Sequence, residues 1–300
     1  MRARFFAALL LSGAAVMGQE PAQDFQVSVN VNLVVLQATV QEKGGRFAPD
    51  LGEKDFTVYE DGVKQTLTLF RHEDVPVTVG LLVDHSGSMN RKLAEVVAAT
   101  RVFVETSNAQ DQIFVVNFND RVALAAKQDQ AFFTSAADVE PAILRTPAIG
   151  MTRLYDAVEK GQEQLRAGRW EKKVLIAISD GGDNASRRTL NEVLKQAEGS
   201  PAVIYTIGIF DAEDEDRNPD VLRRLARVTG GEAFFPPHLE GAVEVCRKIA
   251  HDIRNQYTLG YVSTNTSQTG AVRAIRVTAS APGSGRLAVR TRSGYVGGGK

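Results

Sequence analysis

Val77-Thr78-Val79-Gly80-Leu81-Leu82-Val83 is an almost unbroken apolar run that leads directly into Asp84-His85-Ser86-Gly87-Ser88. A half-buried strand alternates apolar and polar residues, whereas a strand covered on both faces, as in parallel sheets, stays apolar throughout. The change at Asp84 to short polar residues and glycine marks the carboxyl end of such a strand. A helix follows, because Leu93, Val96, Val97, Thr100 and Val104 fall on one side at helical spacing.

The same texture continues outward along the chain. Gln112–Phe118 reads as a strand with a short neighbour over 122–126. A second helix is expected over 154–165, then a strand over Lys173–Ser179. Leu190, Val193, Leu194 and Ala197 mark another helix, and 202–209 another strand. The unit closes with a helix over 220–228, a short strand over 232–235 and a helix over 239–253. Strands and helices taking turns in this way predict an α/β fold with a doubly wound, mostly parallel, Rossmann-like sheet over 76–254.

The flanks read differently. Val27, Val29, Val31, Leu33 and Val35 keep period two, and Phe56-Thr57-Val58-Tyr59 runs into the turn signal Glu60-Asp61-Gly62. After Asn255, Tyr257, Leu259 and Tyr261 alternate, followed by the pairs Ile275 with Val277 and Leu287 with Val289. Neither flank has enough strands to protect its own edges. The economical expectation is one all-β sandwich, built from 24–72 and 256–296, into which the α/β unit is inserted, with two separate small β-sheets as the alternative; residues 297–300 read as a frayed tail.

At the N-terminus, Arg2 and Arg4 precede an apolar run over 5–11 that continues through Gly13-Ala14-Ala15-Val16-Met17-Gly18. That order predicts a signal peptide over 1–18 and an exported protein, secreted or periplasmic. The run is too short for a good spanning helix, so no stable membrane insertion is expected. Its loss removes two arginines and no acid, moving the formal charge from -1 to -3. So mild a charge gives no general attraction to nucleic acid. Cys246 is the single cysteine, so no internal disulfide can form. It shares a helical face with Ala242, Val245, Ile249 and Ile253, which predicts a packed core thiol.

In open parallel sheets, ligands sit beyond the carboxyl ends of the strands. The first apolar strand ends in Asp84, and Lys173–Ser179 ends in Asp180-Gly181-Gly182-Asp183. Gly150-Met151-Thr152 forms a loop just before a helix. Asp84 and Asp180 with Ser86, Ser88 and Thr152 therefore bring two carboxylates and three hydroxyls to one edge. Such oxygens suit a hard cation: Mg²⁺, with Mn²⁺ as the alternative, and one position left open for a partner's carboxylate.

These residues resemble the von Willebrand factor type A domain, a family shared with integrin inserted domains. Asp84-His85-Ser86-Gly87-Ser88 is similar to its Asp-x-Ser-x-Ser signature, with His85 at the free position. Thr152 in Gly-Met-Thr-Arg-Leu-Tyr-Asp-Ala resembles the family's metal-site threonine, and Asp180 in Ile-Ser-Asp-Gly its second aspartate. Ile207-Gly208 and Val228-Thr229-Gly230-Gly231 look like further family elements. The resemblance covers about 180 residues. It implies that Ser86, Ser88 and Thr152 supply hydroxyls, that Asp84 and Asp180 neutralise the ion, and that an acidic side chain of a partner protein binds it. The flanks resemble those of bacterial secreted proteins that carry such a domain.

Other readings of the same residues are weaker. Asp84 taken alone could satisfy backbone N–H groups at a helix start, with Ser88 as the N-cap. Asp84-His85-Ser86 is not a catalytic triad, because triads form by convergence in space and no Gly-x-Ser-x-Gly elbow is present. His72 and His251 have no partners by spacing, so a zinc site lacks support. Glu213, Asp214, Glu215 and Asp216 match no calcium loop and read as a solvated run. Arg273, Arg276, Arg286, Arg290 and Arg292 are spread over expected strands as a diffuse basic set, and Trp170 reads as packing.

The expectation is therefore a non-enzymatic, metal-dependent protein-binding or adhesion module. It captures an Asp or Glu of a partner protein through Mg²⁺; nucleic acid is not an expected partner. The alternative is a structural subunit of an envelope assembly whose metal site is stabilising or unoccupied. A hydrolase that uses the ion to activate water lacks a base placed by the sequence.

Overall fold

The computed structural model describes residues 33–48, 51–127, 130–210, 217–267, 270–283 and 285–297. The expected signal peptide, the strand residues Val27, Val29 and Val31, and the acidic run 213–216 lie outside them.

The chain begins with β1 (Leu33–Gln41), β2 (Phe56–Glu60), β3 (Val63–Gln65) and β4 (Leu67–Arg71). The α/β unit follows as β5 (Thr78–Asp84), α1 (Leu93–Thr106), β6 (Gln112–Phe118), β7 (Val122–Leu124), α2 (Ala136–Leu144) and α3 (Leu154–Ala167). It continues through β8 (Lys173–Ser179), α4 (Leu190–Gly199), β9 (Val203–Gly208), α5 (Pro219–Thr229), β10 (Ala233–Phe234) and α6 (Gly241–Arg254). The closing strands are β11 (Tyr257–Val262), β12 (Val272–Ala279), β13 (Ala288–Arg290) and β14 (Gly294–Val296).

The central sheet has the order β10-β9-β8-β5-β6-β7, parallel except for β7. All seven residues of β5 are buried, as its unbroken apolar run predicts. One face packs against α1, α2 and α6 through Val96, Phe103, Val139 and Ile249. The other packs against α3, α4 and α5 through Leu154, Val158, Val193 and Leu225. Each fully buried side chain of this kind contributes roughly 1.5–3 kcal/mol. The fold class is thus a doubly wound, mostly parallel α/β sheet flanked by antiparallel sheets.

Local signals explain where several elements stop and start. Asn218 caps α5 by accepting the Val221 N–H, and Pro219 opens the helix. Gly230 ends it at φ +81°, a conformation that costs glycine least. The β2–β3 hairpin turns on Asp61 and Gly62, both at positive φ, as the Asp-Gly pair predicts. One helix is absent from the sequence reading. The α2 helix carries Pro141 in its interior and buries only Val139, Ala142 and Ile143, so its apolar periodicity is short and interrupted.

The flanking strands pair across the whole chain. β11 lies between β1 and β4, and β12 pairs with β2. The resulting sheets, β13-β1-β11-β4 and β14-β12-β2-β3, share one apolar core that includes Leu36, Val58, Leu259 and Val277. Within it, Glu60 accepts from Tyr261 at 2.7 Å, Ser263 at 2.7 Å and Tyr295 at 2.9 Å, and pairs with Arg273 at 3.0 Å. Burial opposes ionisation of Glu60, but these partners outweigh it and hold its pKa below the ordinary value. Arg273 therefore leaves the diffuse basic set and serves the core.

The face of β1 corrects the sequence reading. Leu33 and Val35 carried the alternation, yet they are 47% and 37% exposed, while Val34, Leu36, Ala38 and Val40 are buried. Within β1 the even-numbered face is apolar throughout, while the odd-numbered face carries Gln37, Thr39 and Gln41. The alternation carried forward from Val27 to Val35 therefore picks the wrong face, and the later residues of the strand set the right one. Cys246 is buried in the α/β core as expected, and burial pushes its thiol up to about 12.

Candidate metal centre

Strand order reverses at β5: the chain runs from β5 to β6 on one side and later adds β8 on the other. The crevice beyond the carboxyl ends of β5 and β8 is therefore the place for a ligand. Parallel pairing brings Val83 opposite Ile178, so Asp84 and Asp180 follow adjacent strand ends.

Short hydrogen bonds fix the pair. Asp84 Oδ1 accepts the Ser86 N–H at 2.8 Å, folding the turn back on the strand, and Oδ2 accepts Ser179 Oγ at 2.5 Å. Asp180 Oδ2 accepts Ser88 Oγ at 2.5 Å, and its Oδ1 accepts the Gly182 N–H at 3.0 Å. Ser86 Oγ lies 3.1 Å from Ser88 Oγ. Four of the five expected residues thus form one continuous oxygen cluster. Asp84 and Asp180 are 0% and 2% exposed, while Ser88 is open to solvent.

Thr152 joins through the backbone. The Gly87 N–H donates to Gly150 O at 3.1 Å, tying the Asp84–Ser88 turn to the loop that carries Thr152. Thr152 N–H donates to Asn184 Oδ1 at 2.8 Å, and its carbonyl accepts the N–H groups of Asn184 and Ala185. Its hydroxyl makes no hydrogen bond to a described protein group, although the residue is only 5% exposed. Gly150 sits at φ +85°, where an added Cβ would lie 2.0 Å from Asp120 Oδ2, and Asp120 Oδ1 accepts the Met151 N–H at 3.0 Å. Asp183 completes the frame by accepting the Tyr155 N–H at 2.9 Å at the start of α3.

Sequence reasoning did not single out Ser179, Asn184, Asp120 or Asp183 as parts of this frame. Asp120 had a usable signal, because Asn119-Asp120 directly follows the strand Gln112–Phe118, the position that drew attention to Asp84 and Asp180. His85 is fully buried behind the turn, with Nε2 3.2 Å from Asn117 Oδ1. Burial keeps its pKa below the ordinary value, so the ring is neutral. Neither His72 nor His251 belongs to the centre: His72 stacks on Tyr257, and His251 meets Phe47 edge-on.

Electrostatics give the cluster its chemistry. Burial, and then the charge of Asp180, push the Asp84 carboxyl up to about 7, against the opposing hydrogen bonds of Ser179 and Ser86. Two buried carboxylates that repel each other, beside the Ser86 and Ser88 hydroxyls and with Thr152 on the adjoining loop, are a donor set that a divalent cation relieves. Among the described residues, no group of three or more His, Cys, Asp or Glu side chains is placed to hold a metal. The set is therefore poor in charge and rich in hydroxyls, which fits a hard cation that retains part of its water.

Residues 78–244, over half the chain, match the sequence profile of the von Willebrand factor type A domain. The chain belongs to that family. A von Willebrand factor type A protein from Catenulispora acidiphila superposes with a TM-score of 0.53 at 14% identity, over 88% of this chain and 75% of the other. The von Willebrand factor domain of a type V pili tip protein from Porphyromonas gingivalis gives 0.50 at 15% identity, over 60% and 95%. A proximal thread matrix protein from the mussel byssus gives 0.52 at 17% identity, over 65% and 51%. At these identities the likeness is one of fold. No curated protein matches the chain.

Proposed function

We propose that this type A domain protein is an exported capture module that binds an acidic side chain of a partner protein through a divalent cation. The observation that carries the reading is the buried Asp84–Asp180 pair with Ser86, Ser88 and Thr152 beside it, opening to solvent at Ser88. Asp84, Asp180 and the three hydroxyls would hold the ion, with Mg²⁺ the expected metal and Mn²⁺ the alternative. When bound, the cation supplies a positive centre with room for a carboxylate.

The chain's own residues do the rest. Ser179 and the Ser86 N–H orient Asp84, Gly182 orients Asp180, and Asp120 with Asn184 holds the Thr152 loop against the turn. Beside Thr152, Ile149 and Met151 are 58% and 52% exposed, large apolar side chains on the rim of a charged site. They suit a partner that presents an apolar residue next to its Asp or Glu. Binding rather than turnover is favoured because the one imidazole at the turn, His85, is buried and held by Asn117. Export rests on the N-terminal order of Arg2, Arg4 and the apolar run. No helix among the described residues is long and apolar enough to cross a membrane.

The test is calorimetric titration of Mg²⁺ and Mn²⁺ into the mature chain, followed by capture of envelope proteins with and without chelator. Wild type should release binding heat and Asp180→Asn should not. Ile149→Ser with Met151→Ser should keep the metal and lose capture. An absence of heat in wild type would sink the metal centre, and chelator-insensitive capture would sink the mechanism.

A further inference from the structure

Where α5 and β10 meet the sandwich there is a cleft of about 640 Å³. Five arginines line it, Arg223, Arg227, Arg276, Arg290 and Arg292, against one acidic residue, Glu232. Half-buried Val289 supplies apolar surface between them, while Ile275 and Val277 back the cleft from the sandwich core.

The arginines differ in how their charge is met. Arg290 pairs with buried Asp252 and lies 3.4 Å from Glu232, and Arg223 pairs with Asp220 at 2.8 Å. Among the described residues, no carboxylate pairs with Arg227, Arg276 or Arg292. Arg292 is only 9% exposed, and its Nε and Nη2 donate to the carbonyls of Gly294, Glu198 and Ser200. That leaves a nearly buried cation held by three neutral dipoles, with the charge of Glu198 further off. Arg276 lies over the Tyr59 ring at 3.9 Å, which holds its guanidinium in place and leaves its N–H edge for a ligand. Several cations around one cleft repel each other, and a ligand that brings carboxylates relieves that repulsion with two-pronged hydrogen bonds.

The backbone adds a second feature. β10 and β13 are edge strands of their sheets, and both contribute to the lining through Ala233, Val289 and Arg290. An edge strand has one side unpaired within its sheet, and an extended peptide can add there. A small anion would use only the arginines, whereas an extended acidic chain would use the edges, the guanidiniums and the apolar surface together.

We propose that this cleft is a second binding site, which takes an extended acidic peptide segment with its carboxylates on Arg227 and Arg276. Nothing in this site depends on the metal centre.

The test uses the full mature chain in excess chelator, which silences the metal centre. The probe is a fluorescein-labelled peptide of alternating Glu and Val, about eight residues long and so roughly 27 Å when extended, read by anisotropy. Binding should weaken steeply with salt and should fall at least tenfold in Arg227→Glu with Arg276→Glu, two exposed positions whose variant is checked for fold by circular dichroism. Asp180→Asn should bind like wild type. The proposal is overturned by no binding, by equal binding of the Gln and Val peptide, or by an unchanged double variant. It is also overturned if Asp180→Asn loses binding, or if inorganic phosphate, an oligonucleotide or a sulfated polysaccharide binds the cleft in preference to the peptide.

Discussion

Thr39 Oγ1 donates to Asp252 Oδ1 at 2.7 Å, joining β1 of the sandwich to α6 of the α/β unit across 213 residues of sequence. The other carboxylate oxygen accepts Tyr205 Oη at 2.8 Å and pairs with Arg290. Gln256 donates to the same tyrosine oxygen at 2.9 Å. Thr39, Tyr205 and Asp252 are all within 1% of complete burial. One carboxylate thus satisfies groups from β1, β9 and β13 while sitting on α6.

Removal of that carboxylate leaves Arg290 short of a charge partner and two hydroxyls short of an acceptor. Asp252→Ala should cost about 3–5 kcal/mol, against about 1 kcal/mol for Thr39→Val, which deletes one of its bonds. Urea denaturation measures both. A cost for Asp252→Ala no larger than that for Thr39→Val would remove the carboxylate from this central role.

The metal centre predicts a different pattern. Asp180→Asn removes the charge that repels Asp84 and keeps an oxygen for the Gly182 N–H. In chelator the variant should therefore melt no lower than wild type. With Mg²⁺ at about one hundred times its Kd, wild type should gain about 2.7 kcal/mol and the variant nothing. Thermal melts with and without the ion decide it, and a variant that still gains stability would place the ion elsewhere.

Which of these features could be read from the sequence follows from how local each one is. Asp84, Ser86, Ser88 and Asp180 were legible because unbroken apolar runs mark where β5 and β8 end, and the polar residues come next. Thr152 had a weaker marker, the Gly150-Met151-Thr152 loop just before a helix, and the family resemblance gave it its role. Ser179, Asn184 and Asp183 act through hydrogen bonds between loops, which leave no periodic trace. Glu60 with Arg273, and Thr39 with Asp252, are each 213 residues apart, and no spacing rule links them. The face of β1 was misread for another reason: the odd-numbered valines up to Val35 dominated the reading, although Gln37, Thr39 and Gln41 mark that face as the polar one.

Gly150 tests how the Thr152 loop is held. At φ +85°, and with an added Cβ 2.0 Å from Asp120 Oδ2, Gly150→Ala meets both backbone strain and a clash. The change should cost about 1–3 kcal/mol. It should also weaken Mg²⁺ binding, because Gly150 O anchors the Gly87 N–H. Asp120→Ala removes only the bond to Met151 and should lower Mg²⁺ affinity at near-normal stability. Calorimetry beside denaturation separates the two effects. Unchanged affinity in both variants would show that the loop position is set elsewhere.

Lys172 supplies a pH dependence with a definite sign. It is 7% exposed and donates to Ile253 O, with Arg254 adding repulsion and Asp252, Asp74 and Asp111 opposing it. Burial is the largest effect and lowers its pKa from 10.5 to about 8. Below pH 8 both folded and unfolded chains carry the proton, and the buried charge opposes folding by a constant amount. Between pH 8 and 10.5 the unfolded chain holds more of that proton, so this group's contribution to stability rises with pH. Comparison with Lys172→Met cancels the other titrating groups. From pH 7.5 to 9.5 the stability of wild type relative to the variant should rise by about 2 kcal/mol. Urea denaturation at the two pH values measures the shift, and a constant or falling difference would mean that Lys172 keeps an ordinary pKa in the folded chain.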